Sequence, residues 1–201
     1  MRLRPLAAVA ALALSLSVLA ACGSDSESPA ASDPTSGAAA GGTFPATIEH
    51  KYGETVVPEE PKRVVSVGVS EQDVLLQLGV VPVGVTEWYG EQPDATWPWA
   101  HDLLDGAHPE VLHTTNGLEF EKIAALKPDL IVGTNAGLTK KDYQLLSAIA
   151  PTVTSDEGAN DFFSPWQDQV LQIARGLGRE ADGQQIIDDL EDKYAAVAAA
   201  P

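Results

Sequence analysis

The sequence predicts an α/β domain, a mostly parallel sheet flanked by helices, closed by one long helix. Three observations carry this. Short apolar, β-branched runs (Val64-Val65-Ser66-Val67, Leu130-Ile131-Val132, Thr152-Val153-Thr154) have the length and composition of strands buried on both faces. Segments with helical apolar spacing follow them and open on residues suited to capping. Strand and helix alternate along the chain, a pattern that yields parallel strands joined by right-handed crossovers.

The fold begins near Phe44. Residues 47–52 alternate, Gly53-Glu54 turns, and Thr55-Val56-Val57 returns, which predicts a small hairpin ended by Pro58 and Pro61. Residues 63–67 are the first buried strand. Ser70 is placed to cap a helix over 71–78, with Asp73 in its first turn and Gly79 as its stop. The next strand lies in 80–86, its pairing expected only after Pro82. Residues 87–116 show no period and are expected to be irregular. Residues 118–126 read as a helix with Ile123 and Leu126 on one face, ended by Lys127-Pro128. A third strand spans 129–134. Thr139 caps a helix through Ile149, and 151–154 form the fourth strand. Ser164 as N-cap and Pro165 at the first helical position open a helix to Leu177; Trp166, in that first turn, is expected in the core. Gly178 interrupts, and 181–199 form the last helix, about 30 Å long if 179–199 are all helical.

The segment ahead of the domain reads as export and tether. Arg2 and Arg4 precede an apolar stretch, 6–20, too short and too rich in alanine and serine for a membrane span. It closes Leu19-Ala20-Ala21-Cys22-Gly23, the lipobox pattern in which Cys22 becomes the lipid-modified first residue. Cys22 is the single cysteine, so no intramolecular disulfide is possible. Residues 23–43 are Ser, Ala, Gly, Pro and Asp with little to bury, and are expected to be a disordered tether. The expected organisation is signal peptide 1–21, anchored Cys22 and linker 22–43, α/β domain 44–178 and long helix 179–201.

The formal charge is −17, from 29 acidic and 12 basic side chains. Such a field repels nucleic acid, so no nucleic-acid partner is expected. The chain lacks a GxSxG elbow, a Walker loop and a GxGxxG turn. His113, Ser70 and Asp102 could be combined into a triad, but nothing in their spacing requires it, and no enzyme is expected. His50, His101, His108 and His113 lack HxH or HxxxH spacing, so no metal ligand set is expected.

In open parallel sheets, ligands bind outside the carboxyl ends of the strands. Those ends are predicted at 68–70, 86–89, 134–137 and 154–160. Trp88, Tyr89, Trp97 and Trp99 fall in the irregular stretch after the second strand, where rings can stack on a ligand or pack the loop down onto the domain. Ser70 can donate to a ligand oxygen or serve as a helix cap. Asn135 can reach the cleft or sit as a turn residue. Phe162 and Phe163 can wall the cleft or close the core.

Three blocks stand out: Pro61-Lys62-Arg63-Val64-Val65-Ser66-Val67, the run Asp73 to Val85 (DVLLQLGVVPVGV), and Leu118 to Val132 (LEFEKIAALKPDLIV), with Ile173-Ala174-Arg175-Gly176-Leu177-Gly178-Arg179 before the last helix. Together they resemble ferric-siderophore and cobalamin binding proteins of ABC importers. The resemblance covers about residues 44–200. It implies an extracytoplasmic receptor of two α/β lobes joined by a long rigid helix, with ligand in the cleft between them. This chain would be the first lobe and the helix, with the second lobe absent and ligand binding correspondingly weak. It implies a lipid anchor on the outer face of the cytoplasmic membrane, a ferric siderophore whose iron is held by the chelator rather than by a protein cofactor, and a membrane permease as partner. Glu121 matches the first-lobe glutamate that docks onto permease arginines. An acidic domain with cleft loops poor in Lys and Arg suits a hydroxamate siderophore. Cobalamin or haem, or a non-catalytic surface interaction role, are the alternatives. Ile186, Ile187, Leu190, Tyr194 and Val197 recur at helical spacing on the last helix, and part of that face is expected to be bare and prone to self-association.

Overall fold

Val64 and Val65 are neighbours in sequence, both fully buried, yet they belong to different cores. That period of two places one parallel sheet between two helical layers. The computed structural model describes residues 42–159 and 162–200. The signal, Cys22 and linker expectations for residues 1–41 lie outside the described residues, as does Asn160.

A hairpin of β1 (Ala46–His50) and β2 (Gly53–Val57) precedes the sheet, paired antiparallel with His50 opposite Gly53. The sheet contains β3 (Val64–Ser66), β4 (Gly84–Thr86), β5 (Glu110–Leu112), β6 (Leu130–Gly133) and β7 (Thr152–Thr154). Its order is β5-β4-β3-β6-β7, with every neighbouring pair parallel. The helices are α1 (Glu71–Gln77), α2 (Pro98–His101), α3 (Phe120–Ala125), α4 (Lys140–Ser147), α5 (Trp166–Gly176) and α6 (Glu180–Ala198).

One face of the sheet, with Val64, Leu130, Val132 and Val153, packs on α1 (Leu75), α5 (Ile173, Ala174) and the hairpin (Ile48, Val57). The other, with Val65, Ile131 and Leu112, packs on α3 (Ile123) and α4 (Leu146). The hairpin lies across β7: Lys51 N donates to Ser155 O at 3.0 Å, and the Thr55 hydroxyl donates to Thr152 O at 2.8 Å. Gln172 of α5 donates to Glu49 O at 2.8 Å. Thr43 N donates to Gly178 O at 2.9 Å, which fixes the start of the described chain to the α5–α6 joint.

Some helix ends follow the expected chemistry and others depart from it. Thr139 and Asp142 form a reciprocal capping box on α4, and Gly79, at φ 73°, ends the α1 turn with Val80 N bonded to Leu75 O. Ser70 stands at the N-cap of α1 but makes no cap bond, because its hydroxyl is engaged across the sheet end instead. α5 starts one residue later than expected, with Pro165 rather than Ser164 at the N-cap. Trp166 is half-buried outside the main cores, packed edge-on against Tyr194 of α6 with ring centroids 6.4 Å apart. The stretch 87–116, expected to be irregular, holds β5, α2 and two single turns of 3-10 helix. On α6, Ile187 is buried and Ile186 packs against the core, while Tyr194 (62% exposed) and Val197 (77%) are bare.

Candidate functional site

The chain runs from β3 outward to β4 and β5, then crosses back to β6 on the other side of β3. The β3 and β6 neighbours are therefore followed by loops that diverge, the topological switch point where open α/β sheets hold ligands. Around it stand the loops after β3 (67–70), β4 (87–97) and β6 (134–138).

The β4 loop carries an aromatic rim. Trp88 meets Tyr89 edge-on at 4.5 Å between centroids, Tyr89 meets Trp97 edge-on at 5.1 Å, and Trp97 stacks on Trp99 at 5.1 Å with planes 7° apart. Trp88, Tyr89 and Trp99 are 59%, 56% and 68% exposed, and Trp97 is half-buried as the ring that braces the others. Trp99 Nε1 donates to Asp73 Oδ2 of α1 at 2.9 Å, pinning the rim to the domain. Burial pushes the Asp73 carboxyl above its usual range, and this hydrogen bond pulls the other way. The loop keeps its shape through Glu91, Asp94 and Ala95 at positive φ, and through Asp94, which His101 and His108 flank at 3.4 and 3.1 Å. The rim thus presents three largely exposed rings on a backbone fixed at unusual φ.

Ser70 and Asn135 meet across the switch point: Asn135 Nδ2 donates to Ser70 Oγ at 2.8 Å. Asn135 Oδ1 has no partner among the described residues. Phe162 and Phe163, on the chain entering α5, are 53% and 81% exposed, so they do not close the core. Phe162 lies over Gly137, where an added Cβ would meet its ring at 2.3 Å. That ring extends the apolar wall to the β6 side.

The crossover β5–α3–β6 places the N-terminus of α3 at the same end of the sheet as the rim. Glu121 is exposed in its first turn. The nearby Glu119 is engaged: it accepts from His113 N at 2.8 Å and lies 3.9 Å from Lys122. Lys122 Nζ is 2.8 Å from Glu110, with which it shares a hydrogen bond that holds the ammonium above its ordinary range, and it donates to Val111 O at 2.6 Å. No group of three or more His, Cys, Asp or Glu side chains arranged to hold a metal occurs among the described residues. A hollow of about 560 Å³ between residues 42–47 and 175–182 lies at the α5–α6 joint, away from the rim, lined by Arg175 and Arg179 already paired to Glu180 and Asp182.

The rim, Ser70 and Asn135, named from the sequence as ligand contacts, stand on the loops around the switch point, and Glu71 was not among the residues named. This side chain is fully buried between Ser70 and Asn135. A glutamate opening a helix ordinarily signals only a favourable dipole contact.

The model of the family described as "Periplasmic binding protein" matches residues 64–200. The "Probable siderophore-binding lipoprotein YfiY" of Bacillus subtilis (strain 168) is 33% identical over 184 residues, 90% of this chain and 51% of that protein. The "Iron(3+)-hydroxamate-binding protein FhuD" of the same organism is 30% identical over 184 residues, 91% of this chain and 52% of that protein. A crystal structure of a periplasmic solute binding protein from Mycobacterium smegmatis aligns with a TM-score of 0.73 and 47% identity, covering 76% of this chain and 53% of that one. The chain spans about half the length of the curated relatives it matches.

Proposed function

The chain belongs to the periplasmic binding protein family, and from that premise we propose that it serves as the substrate-binding component of an iron-siderophore ABC importer. It captures a ferric siderophore of the hydroxamate class without transforming it, and delivers it to a membrane permease. The observation that carries this is the exposed ring series Trp88–Tyr89–Trp97–Trp99 at the carboxyl end of a parallel sheet. Two relatives named for siderophore or hydroxamate binding support the cargo class.

A ferric siderophore arrives with its iron already coordinated, so the protein has to grip only the organic shell. Flat apolar faces and a few hydrogen-bonding groups do this, and no protein metal ligand is required. Trp88, Tyr89 and Trp99 each expose more than half of their surface. Covering about 100 Å² on each ring contributes about 2.5 kcal/mol per ring. The sum is comparable to the entropy lost on association, so this rim alone supports weak binding. The carboxylates of Asp73 and Glu87 beside the rim disfavour anionic catecholates. Glu121, exposed and rigidly based, is suited to a bidentate pair with a permease arginine. Cys22 would hold the protein by lipid at the outer face of the cytoplasmic membrane, a reading that the lipoprotein name of the first relative supports.

The test is a titration of intrinsic tryptophan fluorescence with ferrioxamine B, a ferric tricatecholate, cobalamin and haem. Quenching is expected to be strongest with ferrioxamine B, and Trp99→Ala is expected to weaken binding by about seventyfold, about 2.5 kcal/mol. Strongest quenching by cobalamin or haem reassigns the cargo, and no response to any of the four removes the ligand-binding reading.

A further inference from the structure

Glu71 opens α1, where a carboxylate ordinarily faces water. Here it is 1% exposed and folds back over the loop that precedes it. Oε1 accepts from Asn135 N at 2.8 Å and Oε2 from Ser70 N at 3.1 Å. Amides from the loops after β3 and β6 thus converge on one side chain. A backbone N–H can only donate, so every partner requires an acceptor, and a carboxylate offers about four lone-pair sites. Glutamine would turn one of those oxygens into a donor facing donors.

Two neighbours are shaped around this group. At Gly68 an added Cβ would sit 2.0 and 2.3 Å from the two Glu71 oxygens, so only glycine leaves the carboxyl its place. Ser70 Oγ accepts from Asn135 Nδ2 at 2.8 Å, which leaves the serine proton free to turn toward a ligand oxygen.

We propose that Glu71 is a positioning residue for the ligand cleft, an internal acceptor that ties the loop after β3 to the loop after β6 and so sets the spacing of Ser70 and Asn135. The inference rests on the reading of this cleft as the ligand site. Its contribution is geometric: the side chain never touches cargo, but it holds the groups that do.

Amide hydrogen exchange on the full chain tests the tie without any ligand. In Glu71→Gln, exchange at Ser70 and Asn135 is expected to rise at least tenfold, with β1, β2 and α5 unchanged, and ferrioxamine B affinity to fall about fivefold. Gly68→Ala, which displaces the carboxyl from the other side, is expected to show the same pattern. A uniform rise across the domain, unchanged exchange at the two amides, or loosened loops with unchanged affinity would each overturn the proposal. If Glu71→Gln does not fold, Asn135→Ala decides. It deletes the side-chain bridge but keeps the carboxyl, so the amides of residues 70 and 135 are expected to stay protected, and their loss of protection would assign the tie to the bridge instead. If wild-type protein binds none of the ferric probes, the proposed function fails while the exchange measurements still judge Glu71.

Discussion

Replacing His50 with glutamine removes a buried titrating ring from the hairpin while keeping a nitrogen donor within reach of Thr55. In the native hairpin, Tyr52 N donates to His50 Nδ1 at 3.2 Å, so Nδ1 is an acceptor and the ring proton sits on Nε2. Nε2 then donates to Thr55 Oγ1 at 2.9 Å, and Thr55 passes its own proton to Thr152 O at 2.8 Å. The neutral ring satisfies this relay, whereas protonation sets an Nδ1–H against the Tyr52 N–H. Burial accordingly holds the ring below its ordinary value of 6.5. Between that lowered value and 6.5 the unfolded chain binds more protons than the folded one. Stability due to His50 therefore rises with pH through this window and is lost as pH falls below 6.5. Losing one hydrogen bond and stranding a donor costs about 1–3 kcal/mol. Glu71, Asp73 and Asp156 have the opposite sign: burial, joined at Asp156 by the nearby Asp168, raises all three, so their contribution is lost as pH rises through the raised values. Those groups are common to both proteins and cancel in the difference. Urea unfolding at pH 7.5 and 5.0 should therefore show the wild-type advantage over His50→Gln shrinking by about 1–2 kcal/mol at the lower pH. Parallel pH dependence of the two proteins would refute the neutral-ring reasoning.

Gly178→Ala is expected to destabilise by about 2 kcal/mol, because φ is 66° and the new Cβ would lie 2.8 Å from the Phe44 ring. Gly79→Ala, at φ 73° but with open space around it, should lose only about 1 kcal/mol; thermal unfolding of the pair separates crowding from backbone strain. Thr139→Ala breaks the α4 capping box and should lower the urea midpoint by the equivalent of about 1 kcal/mol. Glu121→Gln should leave ferric-ligand titration unchanged and reduce delivery to a permease in vesicles severalfold. Glu119→Gln, which weakens the hold on His113 N, should instead reduce stability by about 1 kcal/mol and spare delivery.

The buried strands β3, β6 and β7 were legible because parallel strands covered on both faces read as continuous apolar runs. β5 was not, since Glu110-Val111-Leu112 is three residues long at a sheet edge, and only Leu112 is buried. Thr139 could be read as a cap because its partner is three residues away. Ser70 misled because its partner, Asn135, is 65 residues distant and no local pattern records it. The aromatic rim was legible from composition and position together, but which ring braces the others depends on packing. Glu71 was hidden for a related reason: its environment is created by the β6 loop, and the one local hint was the bare Gly68 three residues before it.

The two flanks of the sheet are finished by different means. At β7 the hairpin occupies the outer side. At β5, Glu110 N and Leu112 O both bond inward to the β4 segment, which turns the backbone of Val111 outward, and its carbonyl is already taken by Lys122 Nζ. A foreign strand arriving at either flank finds no run of free amides and carbonyls to template on. Concentrated solutions of this domain should therefore resist growth into cross-β fibrils while it stays folded, and loss of the lysine would uncover the Val111 carbonyl at the β5 flank.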